Sequence, residues 1–328
     1  MSINKELILT LTCLKDVGVK GIGTQRIFTI CNSIIEKGIN SDSYEDIASM
    51  LGAMKEKHFN QITLDNLNDA YKVAKNLISY SETFNIGFIT YYDPEYPEIL
   101  RQTISEDGKS DPPIILWYRG DLSILSMPGL AVIGTREATP EGIKAGKYLS
   151  SEFAKRGFNI VSGLAIGCDT CGHLGALDAG GKTTAFLANG LDSDSIYPPE
   201  NRELAERIVH NGGLLLSEYR IGSNVNRYSL VARDRLQAGL ANATLVVQTG
   251  IKGGTMHAAK TTLNASKPLF AIKFKDDYVN NHEKCAGNAY LVSKGGKYIK
   301  GDDDLNAIAE KIRVWKPETT DFFGLTAL

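Results

Sequence analysis

The sequence has little net charge and little cysteine. Its 36 lysines and arginines face 38 aspartates and glutamates, which gives the 328 residues a formal net charge of −2. This balance excludes a strongly basic protein that coats nucleic acid. It permits a local basic groove, because phosphate binding depends on where the charges lie. Five cysteines, an odd number in a long chain, favour a reducing compartment over a disulfide framework.

Long apolar runs are also missing. No segment approaches the roughly 18 consecutive apolar residues of a membrane-spanning helix. The first residues, MSINKELILTLTCLKDVG, have no basic segment followed by an apolar core and a small-residue cleavage site, so they do not resemble a signal peptide. We therefore expect a cytoplasmic protein with no membrane partner.

Residues 1–82 are predicted to form a small helical domain. Apolar residues recur here at helical spacing, and three glycines interrupt the pattern between Val17 and Gly23. Two helices joined by such a hairpin can hold a nucleic-acid phosphate through backbone N–H groups. The alternative is a tight turn that binds nothing, and the scarcity of lysine around the hairpin favours it.

Residues 83–328 are predicted to form an α/β domain. Short β-rich segments with proline and glycine come first, and from about residue 126 apolar strands alternate with helical segments. This alternation predicts a doubly wound, mostly parallel sheet. The predicted strands are LAVIG (130–134), FNIVSG (158–163), TTAFLANG (183–190), GLLLSE (213–218), ATLVVQTG (243–250) and PLFAIKF (268–274).

Glycine ends four of these strands, as Gly134, Gly163, Gly190 and Gly250. The carboxyl ends of parallel strands meet at one edge of the sheet, where ligands bind near the point at which the strand order reverses. Glycine lets a phosphate approach the backbone, and the following helix supplies N–H groups and the positive end of its dipole. These loops predict a phosphate-binding edge.

The loop Gly134-Thr135-Arg136 indicates which phosphate ligand to expect. The dinucleotide fingerprint G-x-G-x-x-G, with an acidic residue about 20 positions later, is not matched. A guanidinium binds phosphate through two parallel hydrogen bonds and does not recognise a ribose diol. The sequence therefore favours phosphate binding over NAD chemistry, with an ordinary strand-to-helix turn as the alternative for this loop alone.

A second candidate cluster runs from Ser162-Gly163 into the next helix. Asp169 is predicted to cap that helix, and His173 lies one turn further on the same face. A helix cap and a half-buried histidine explain these two residues as well as a ligand role does.

Two basic clusters complete the candidate site. Arg227, Arg233 and Arg235 lie in or before a predicted helix, with Asp234 between the last two. The segment Lys252-Gly253-Gly254-Thr255 begins another helix with a cation, two flexible residues and a hydroxyl. Several loops with phosphate-binding residues at the same edge of the sheet favour a binding site over packing alone as their explanation.

Catalysis, metals and cofactors are not indicated. Cys168 and Cys171 have no second cysteine pair for a zinc site, and a redox motif would need an exposed thiol. Ser162 and His173 are weak candidates for a nucleophile and base without geometry. We expect a protein that binds rather than turns over, with no cofactor.

The motifs together resemble the DNA-processing family called DprA or Smf. The resemblance rests on VIGTREATPEG, NIVSGLAIGCDTCGHLGALDAGG, TTAFLANGLDSDSIYPPENRELAERI, LLSEY and ARDRLQAGLANATLVVQ, in that order. The lead-in GFITYYDPEYPEILRQ and PPIILWYRGDL also match, so the likeness extends from about residue 86 to about 275. The N-terminal segment is similar to the family's sterile-alpha-motif-like or helix-hairpin-helix domain.

The resemblance carries over residue by residue. The family's Gly-Ser-Arg corresponds to Gly134-Thr135-Arg136, and its Arg-Asn-Arg to Arg233-Asp234-Arg235, where aspartate replaces asparagine. A phenylalanine-proline pair is replaced by Leu230-Val231, which removes an aromatic that could stack a base. The family's S-G-L-A-x-G-x-D-x-x-x-H run corresponds to Ser162, Gly163, Leu164, Ala165, Gly167, Asp169 and His173.

The resemblance implies a Rossmann-like domain that binds single-stranded DNA, forms a homodimer and loads a RecA-type recombinase during natural transformation. The chain ends at residue 328, so we expect no C-terminal winged helix. Two alternatives remain at this stage: a diverged sensor of a small nucleotide, for example in phage defence, and a scaffold that acts through protein contacts. The Asp234 and Leu230-Val231 departures keep the second one open.

Overall fold

The computed structural model describes residues 3–316 and divides the chain into two compact units. Of the described residues, the first unit comprises residues 3–96 with Pro113–Trp117, and the second Pro97–Pro112 with residues 118–316. Residues 83–96 are thus grouped with the N-terminal helices. The stretch after residue 316, where a winged helix was not expected, lies outside the described residues. No helix within residues 3–316 is long and apolar enough to cross a bilayer.

The first unit is helical, as predicted. Asn4 and Thr63 cap two of its helices, and Thr63 forms a reciprocal capping box with Asn66. Gly18 and Gly21 have φ angles of 88° and 79°, which the predicted hairpin needs for its turn. The elements are α1 (Lys5–Cys13), α2 (Thr24–Glu36), α3 (Tyr44–Ala53), α4 (Lys57–Asn60), α5 (Leu64–Glu82) and β1 (Gly87–Thr90).

The second unit alternates strands and helices. In chain order its elements begin with α6 (Glu98–Arg101), and β2 (Ile115–Gly120) crosses the boundary between the units. There follow β3 (Gly129–Ile133), α7 (Pro140–Lys155), β4 (Asn159–Ser162), α8 (Cys168–Asp178), β5 (Thr183–Leu187), α9 (Arg202–His210), β6 (Leu214–Ser217), α10 (Arg227–Leu240), β7 (Ala243–Val246), α11 (Gly254–Asn264), β8 (Leu269–Ile272), α12 (Asp277–Asn280), α13 (Ala286–Ser293), β9 (Lys297–Ile299) and α14 (Leu305–Val314).

The seven strands β3–β9 pair in the order β6-β5-β4-β3-β7-β8-β9, and each pair is parallel. Ala131 of β3 is in register with Val161 of β4 on one side and with Thr244 of β7 on the other. The chain order therefore reverses between β3 and β7. This confirms the predicted doubly wound sheet and places its ligand-binding crevice at the carboxyl ends of β3 and β7.

Helices cover both faces of this sheet, which explains the continuous apolar runs. Every residue of β3, β4, β5 and β7 is buried, as parallel strands require when both faces are covered. Helices α7 and α8 pack closely: a Cβ on Gly175 would meet the Lys147 carbonyl oxygen at 2.3 Å. The phenyl rings of Phe153 in α7 and Phe158 meet edge to face.

A buried lysine holds the end of α10. Lys267 Nζ donates to the carbonyl oxygens of Ala238, Gly239 and Ala241 at 2.7–2.8 Å. Carbonyl groups in the last turn of a helix have no partner within the helix, so these bonds satisfy them. Burial lowers the pKa of Lys267 to about 7. The ammonium fixes α10 to the segment that follows α11.

Candidate nucleic-acid interface

A cavity of about 340 Å³ opens at the carboxyl ends of β3 and β7, where the strand order reverses. Its walls come from the loop after β3, the start of α8, the middle of α10 and the loop that enters α11. Nine of the predicted site residues line it: Gly134, Thr135, Arg136, Asp169, Arg233, Lys252, Gly253, Gly254 and Thr255. The structure thus brings four predicted sequence segments together in one site.

The loop after β3 supplies an exposed cation on a fixed backbone. A Cβ on Gly134 would lie 2.5 Å from the Cys168 sulfur and 2.7 Å from the Gln248 carbonyl oxygen, so only glycine fits there. Thr135 N–H donates to that same Gln248 oxygen at 2.8 Å. The guanidinium of Arg136 is exposed and has no hydrogen bond or ion pair to the described residues. It is free to bind an anion.

The entry to α11 supplies a second cation and unpaired N–H groups. Gly253 has a φ of 131°, which favours glycine, and precedes an 11-residue helix. The N–H groups of Gly254 and Thr255 donate no hydrogen bond within residues 3–316. Lys252 is exposed and likewise lacks an ion pair to that part of the chain. A helix N-terminus of this kind attracts anions through its N–H groups and its dipole.

The floor of the cavity is a buried arginine between two carboxylates. Arg233 is 6% exposed, and its Nη1 donates to the Phe186 carbonyl oxygen at 3.0 Å. The same Nη1 lies 3.9 Å from Asp169 Oδ2, and Nε lies 3.3 Å from Asp234 Oδ1. A Cβ on Gly163 would lie 1.6 Å from Nη1, so glycine is required beside this cluster.

Burial opposes ionisation of both carboxylates. It raises the pKa of Asp234 to about 6, with the charge of Asp169 adding to the rise and Arg233 opposing it. Burial also raises the pKa of Asp169, against the attraction of Arg233. The floor therefore combines one permanent cation with two carboxyl groups whose pKa values are raised.

Two polar atoms in this floor are buried without a hydrogen-bond partner. They are Arg233 Nε and the side-chain oxygen of Gln237, which is 2% exposed. Buried polar groups almost always have partners in native proteins. Arg233 Nε has only its 3.3 Å ion-pair contact with Asp234, and the Gln237 oxygen has no partner; both fit a site that a polar ligand or ordered water completes.

A second cavity of about 180 Å³ adjoins the first and shares Arg136, Ala165, Leu230 and Arg233 with it. Apolar side chains dominate its walls, including Leu164, Ile166, Phe186, Tyr197, Pro198 and Pro199. Leu230, where the resemblance implies a phenylalanine-proline pair, borders both cavities. The charged cavity thus continues into an apolar one.

Three predicted residues, Ser162, Gly163 and His173, support the site without lining either cavity. Ser162 is fully buried, and its hydroxyl donates to the Val132 carbonyl oxygen at 2.6 Å. His173 is also fully buried; its Nε2 lies 2.7 Å from the Gly163 carbonyl oxygen and its Nδ1 2.7 Å from the Thr183 hydroxyl. Burial lowers the pKa of His173 to about 4, so the ring is neutral near pH 7. His173 positions the Gly163 loop instead of contacting a ligand.

Two predicted arginines lie outside the cavities, and their placement does not support a direct contact with the same ligand. Arg235 pairs with both oxygens of Glu218 at 2.8 Å and with Asp111 at 2.6 Å. Its guanidinium is thus bound to carboxylates within the domain. Arg227 is exposed at the first turn of α10 but borders neither cavity.

Other residues of the cavity were not predicted as ligands. Asp234 was identified only as a departure from the family pattern, and Gln237 and Thr249 carried no sequence signal. Position 237 lies one helical turn after Arg233, so it shares that face of α10. That spacing is the one signal by which Gln237 could have been found.

The cysteines do not form a reactive or metal-binding cluster. Cys168 and Cys171 are free and buried, and burial raises the pKa of both thiols. A thiol that stays protonated and inaccessible is inert. Their packing against Gly134 and Gly146 accounts for their presence.

Comparison with known proteins places the chain in a family. Residues 87–310, more than half of the chain, match the family model described as DNA recombination-mediator protein A. A Synechocystis protein named Smf is 37% identical over 227 residues, which are 68% of this chain and 54% of the relative. The chain thus spans about half the length of that relative. The Bacillus subtilis DNA processing protein DprA is 30% identical over 71% of this chain and 74% of its own length.

Two solved structures are similar over most of their length. The crystal structure of DprA from Streptococcus pneumoniae matches with a TM-score of 0.70 and 26% identity, covering 93% of this chain and 98% of that one. DNA processing protein A from Helicobacter pylori, described for its binding of single-stranded DNA, matches with a TM-score of 0.58 and 29% identity over 70% of this chain and 97% of that one. The chain therefore belongs to the DNA recombination-mediator protein A family, the family of the DprA and Smf proteins.

Proposed function

We propose that this chain binds single-stranded DNA through the charged cavity at the β3/β7 edge. The observation that carries the proposal is the combination of two exposed, unpaired cations, Arg136 and Lys252, with the unpaired N–H groups of Gly254 and Thr255. Cations and helix N-termini bind phosphates without reading sequence. The single-stranded DNA binding described for the Helicobacter pylori relative supports the same ligand.

The ligand is proposed to be bound and not converted. The predicted nucleophile and base are both occupied, since Ser162 donates to a backbone carbonyl and both ring nitrogens of His173 have partners. The family relationship supports the remaining roles. We propose that the chain protects incoming single strands, acts as a homodimer and helps to load a RecA-type recombinase during natural transformation.

The first test is fluorescence anisotropy with a labelled single-stranded oligonucleotide of mixed sequence, measured at two salt concentrations and against duplex DNA. Each phosphate that the protein neutralises contributes about −0.7 to the slope of log K against log salt for single strands. We expect Arg136→Ala to weaken binding at least about tenfold and to lower the slope by about 0.7. The matched control is Arg207→Ala, which removes the same charge from an exposed position on α9 that borders neither cavity.

The outcomes separate the proposal from its competitors. Salt-sensitive binding that Arg136→Ala weakens and Arg207→Ala leaves unchanged supports the site. Binding that is indifferent to salt, or that both variants weaken equally, contradicts it. If no oligonucleotide binds at either salt concentration, the proposed function fails, and a screen of mononucleotides tests the sensor alternative.

A further inference from the structure

The carboxylate of Asp234 lies beside the backbone that is expected to bind a phosphate. Its side chain is 13% exposed and borders the 340 Å³ cavity. A Cβ on Gly254 would lie 3.1 Å from Asp234 Oδ2, so this oxygen is in contact with the first residue of α11. That oxygen accepts no hydrogen bond from the described residues. An anion on the α11 N-terminus would therefore meet an unshielded carboxylate oxygen.

Charged groups face Asp234 from every element around it. Arg233 is its neighbour on α10, and Asp169 reaches the same guanidinium from α8. Arg136 from the β3 loop and His257 from α11 both favour its ionised form. His257 is itself paired with Glu106. The Gln237 side-chain amide donates to Asp234 Oδ1 at 3.1 Å, and the 3.3 Å contact with Arg233 Nε is to the same oxygen.

The charge balance of the cavity limits the anion that it can accept. Three cations line it, namely Arg136, Arg233 and Lys252, together with the carboxylates of Asp169 and Asp234. Glu137 also lines the rim, but it pairs with Lys284 at 3.3 Å. With both floor carboxylates ionised, the site carries one net positive charge. A phosphodiester carries one negative charge, whereas a phosphomonoester carries close to two near neutral pH.

We propose that the ionised Asp234 makes this cavity selective for the phosphodiester of a strand interior over the phosphomonoester of a strand end or free nucleotide, and that protonation of Asp234 strengthens binding of the diester and removes this selectivity. The proposal rests on the proposed function, because it assumes that the cavity binds a DNA phosphate. Asp234 is a specificity-determining residue in this account. Asparagine at the same position would have the same shape without the charge.

The coupling has a measurable consequence. Because the pKa of Asp234 is raised to about 6, about half of the molecules carry it neutral at pH 6 and about one in a hundred at pH 8. The ionised form binds the diester more weakly than the neutral form, so the apparent dissociation constant rises as the neutral fraction falls. Affinity for single-stranded DNA then falls between these two pH values, by up to about 50-fold.

The experiment measures anisotropy of a labelled oligonucleotide without terminal phosphates, at constant ionic strength and at about pH 6, 7 and 8. It compares the wild-type chain with Asp234→Asn and with Glu203→Gln. The control removes the same charge from an exposed position on α9 that borders neither cavity. We expect the wild type and Glu203→Gln to weaken in parallel, while Asp234→Asn varies less than about threefold and binds tighter than the wild type at about pH 8. Circular dichroism spectra establish that each variant is folded.

A second arm tests the ligand class at about pH 8. Thymidine 5′-monophosphate and its methyl ester compete with the labelled strand; they differ by one negative charge. The wild type should prefer the methyl ester, and Asp234→Asn should lose this preference. Wild-type and Asp234→Asn proteins that weaken equally with pH, or discriminate equally between the competitors, overturn the role of Asp234 and leave DNA binding intact. Absence of binding by every variant at every pH overturns the proposed function itself.

Discussion

Replacing Gly163 with alanine should displace the buried side chains at the floor of the cavity and destabilise the protein even without a ligand. A Cβ at this position would lie 1.6 Å from Arg233 Nη1 and 2.4 Å from Asp169 Oδ2. Both side chains are more than nine-tenths buried, so they can yield only toward the cavity that they line. Arg233 must therefore leave its position and give up the 3.0 Å hydrogen bond to the Phe186 carbonyl oxygen.

The cost follows from two separate effects. A lost hydrogen bond from a charged donor costs about 1.5–3 kcal/mol. Inserting a methyl group into a close-packed site costs a further amount of about 1–3 kcal/mol. We expect Gly163→Ala to lower the free energy of unfolding by about 2.5–6 kcal/mol, which corresponds to a fall in Tm of roughly 5–24 °C for a domain of this size.

Urea titration and thermal scans followed by circular dichroism measure both quantities. The matched control is Gly250→Ala in the loop after β7, where the nearest atoms to an added Cβ are 3.8 Å away and the backbone is not in the left-handed region. The control should change stability by less than about 1 kcal/mol. Equal stability of the two variants would refute the argument, because it would mean that Arg233 is not held where the contacts place it.

Two further predictions concern residues that the sequence assigned to the ligand and the structure assigns to support. Arg235→Ala should lower the free energy of unfolding by about 1–3 kcal/mol, because it leaves the half-buried Glu218 without its bidentate partner. The affinity for single-stranded DNA should stay within about twofold of the wild type. Parallel unfolding and anisotropy measurements check this, and a large loss of affinity in a stable variant contradicts it. His173→Gln should reduce the loss of stability at acid pH. In the wild type the pKa of His173 is lowered to about 4, so the unfolded chain binds more protons than the folded chain below about pH 6.5. This difference lowers the free energy of unfolding of the wild type by about 3 kcal/mol as pH drops from about 6.5 to about 4. Urea midpoints at several pH values test this prediction. If the stability of the wild type and of the variant depends equally on pH, His173 does not cause the loss of stability at acid pH.

The sequence predicted the strands and the ligand-binding edge because both depend on local patterns. Continuous apolar runs such as Leu130–Ile133 indicate strands covered on both faces, and glycines at their ends indicate where a sheet of parallel strands presents its loops. Once the alternation of strands and helices was recognised, the meeting of Gly134 with Gly253-Gly254 at one edge followed from topology alone.

Which arginine lines the cavity and which pairs with carboxylates of the domain could not be predicted in the same way. Arg233 and Arg235 are two positions apart on α10, so their side chains leave the helix about 200° apart. One lies under the cavity and the other pairs with Glu218 and Asp111. Which face of α10 meets the sheet is decided by packing against distant segments. The same holds for His173, whose partner Thr183 belongs to the next strand.

The ammonium of Lys267 has a consequence for recognition as well as for the fold. It joins the carboxyl end of α10 to the segment after α11, and these two helices carry Asp234 and Gly254, which both line the cavity. Neither helix can slide along its axis without breaking the three hydrogen bonds. The relative position of the two helices is therefore set before a strand arrives, and binding need not include the entropic cost of ordering them.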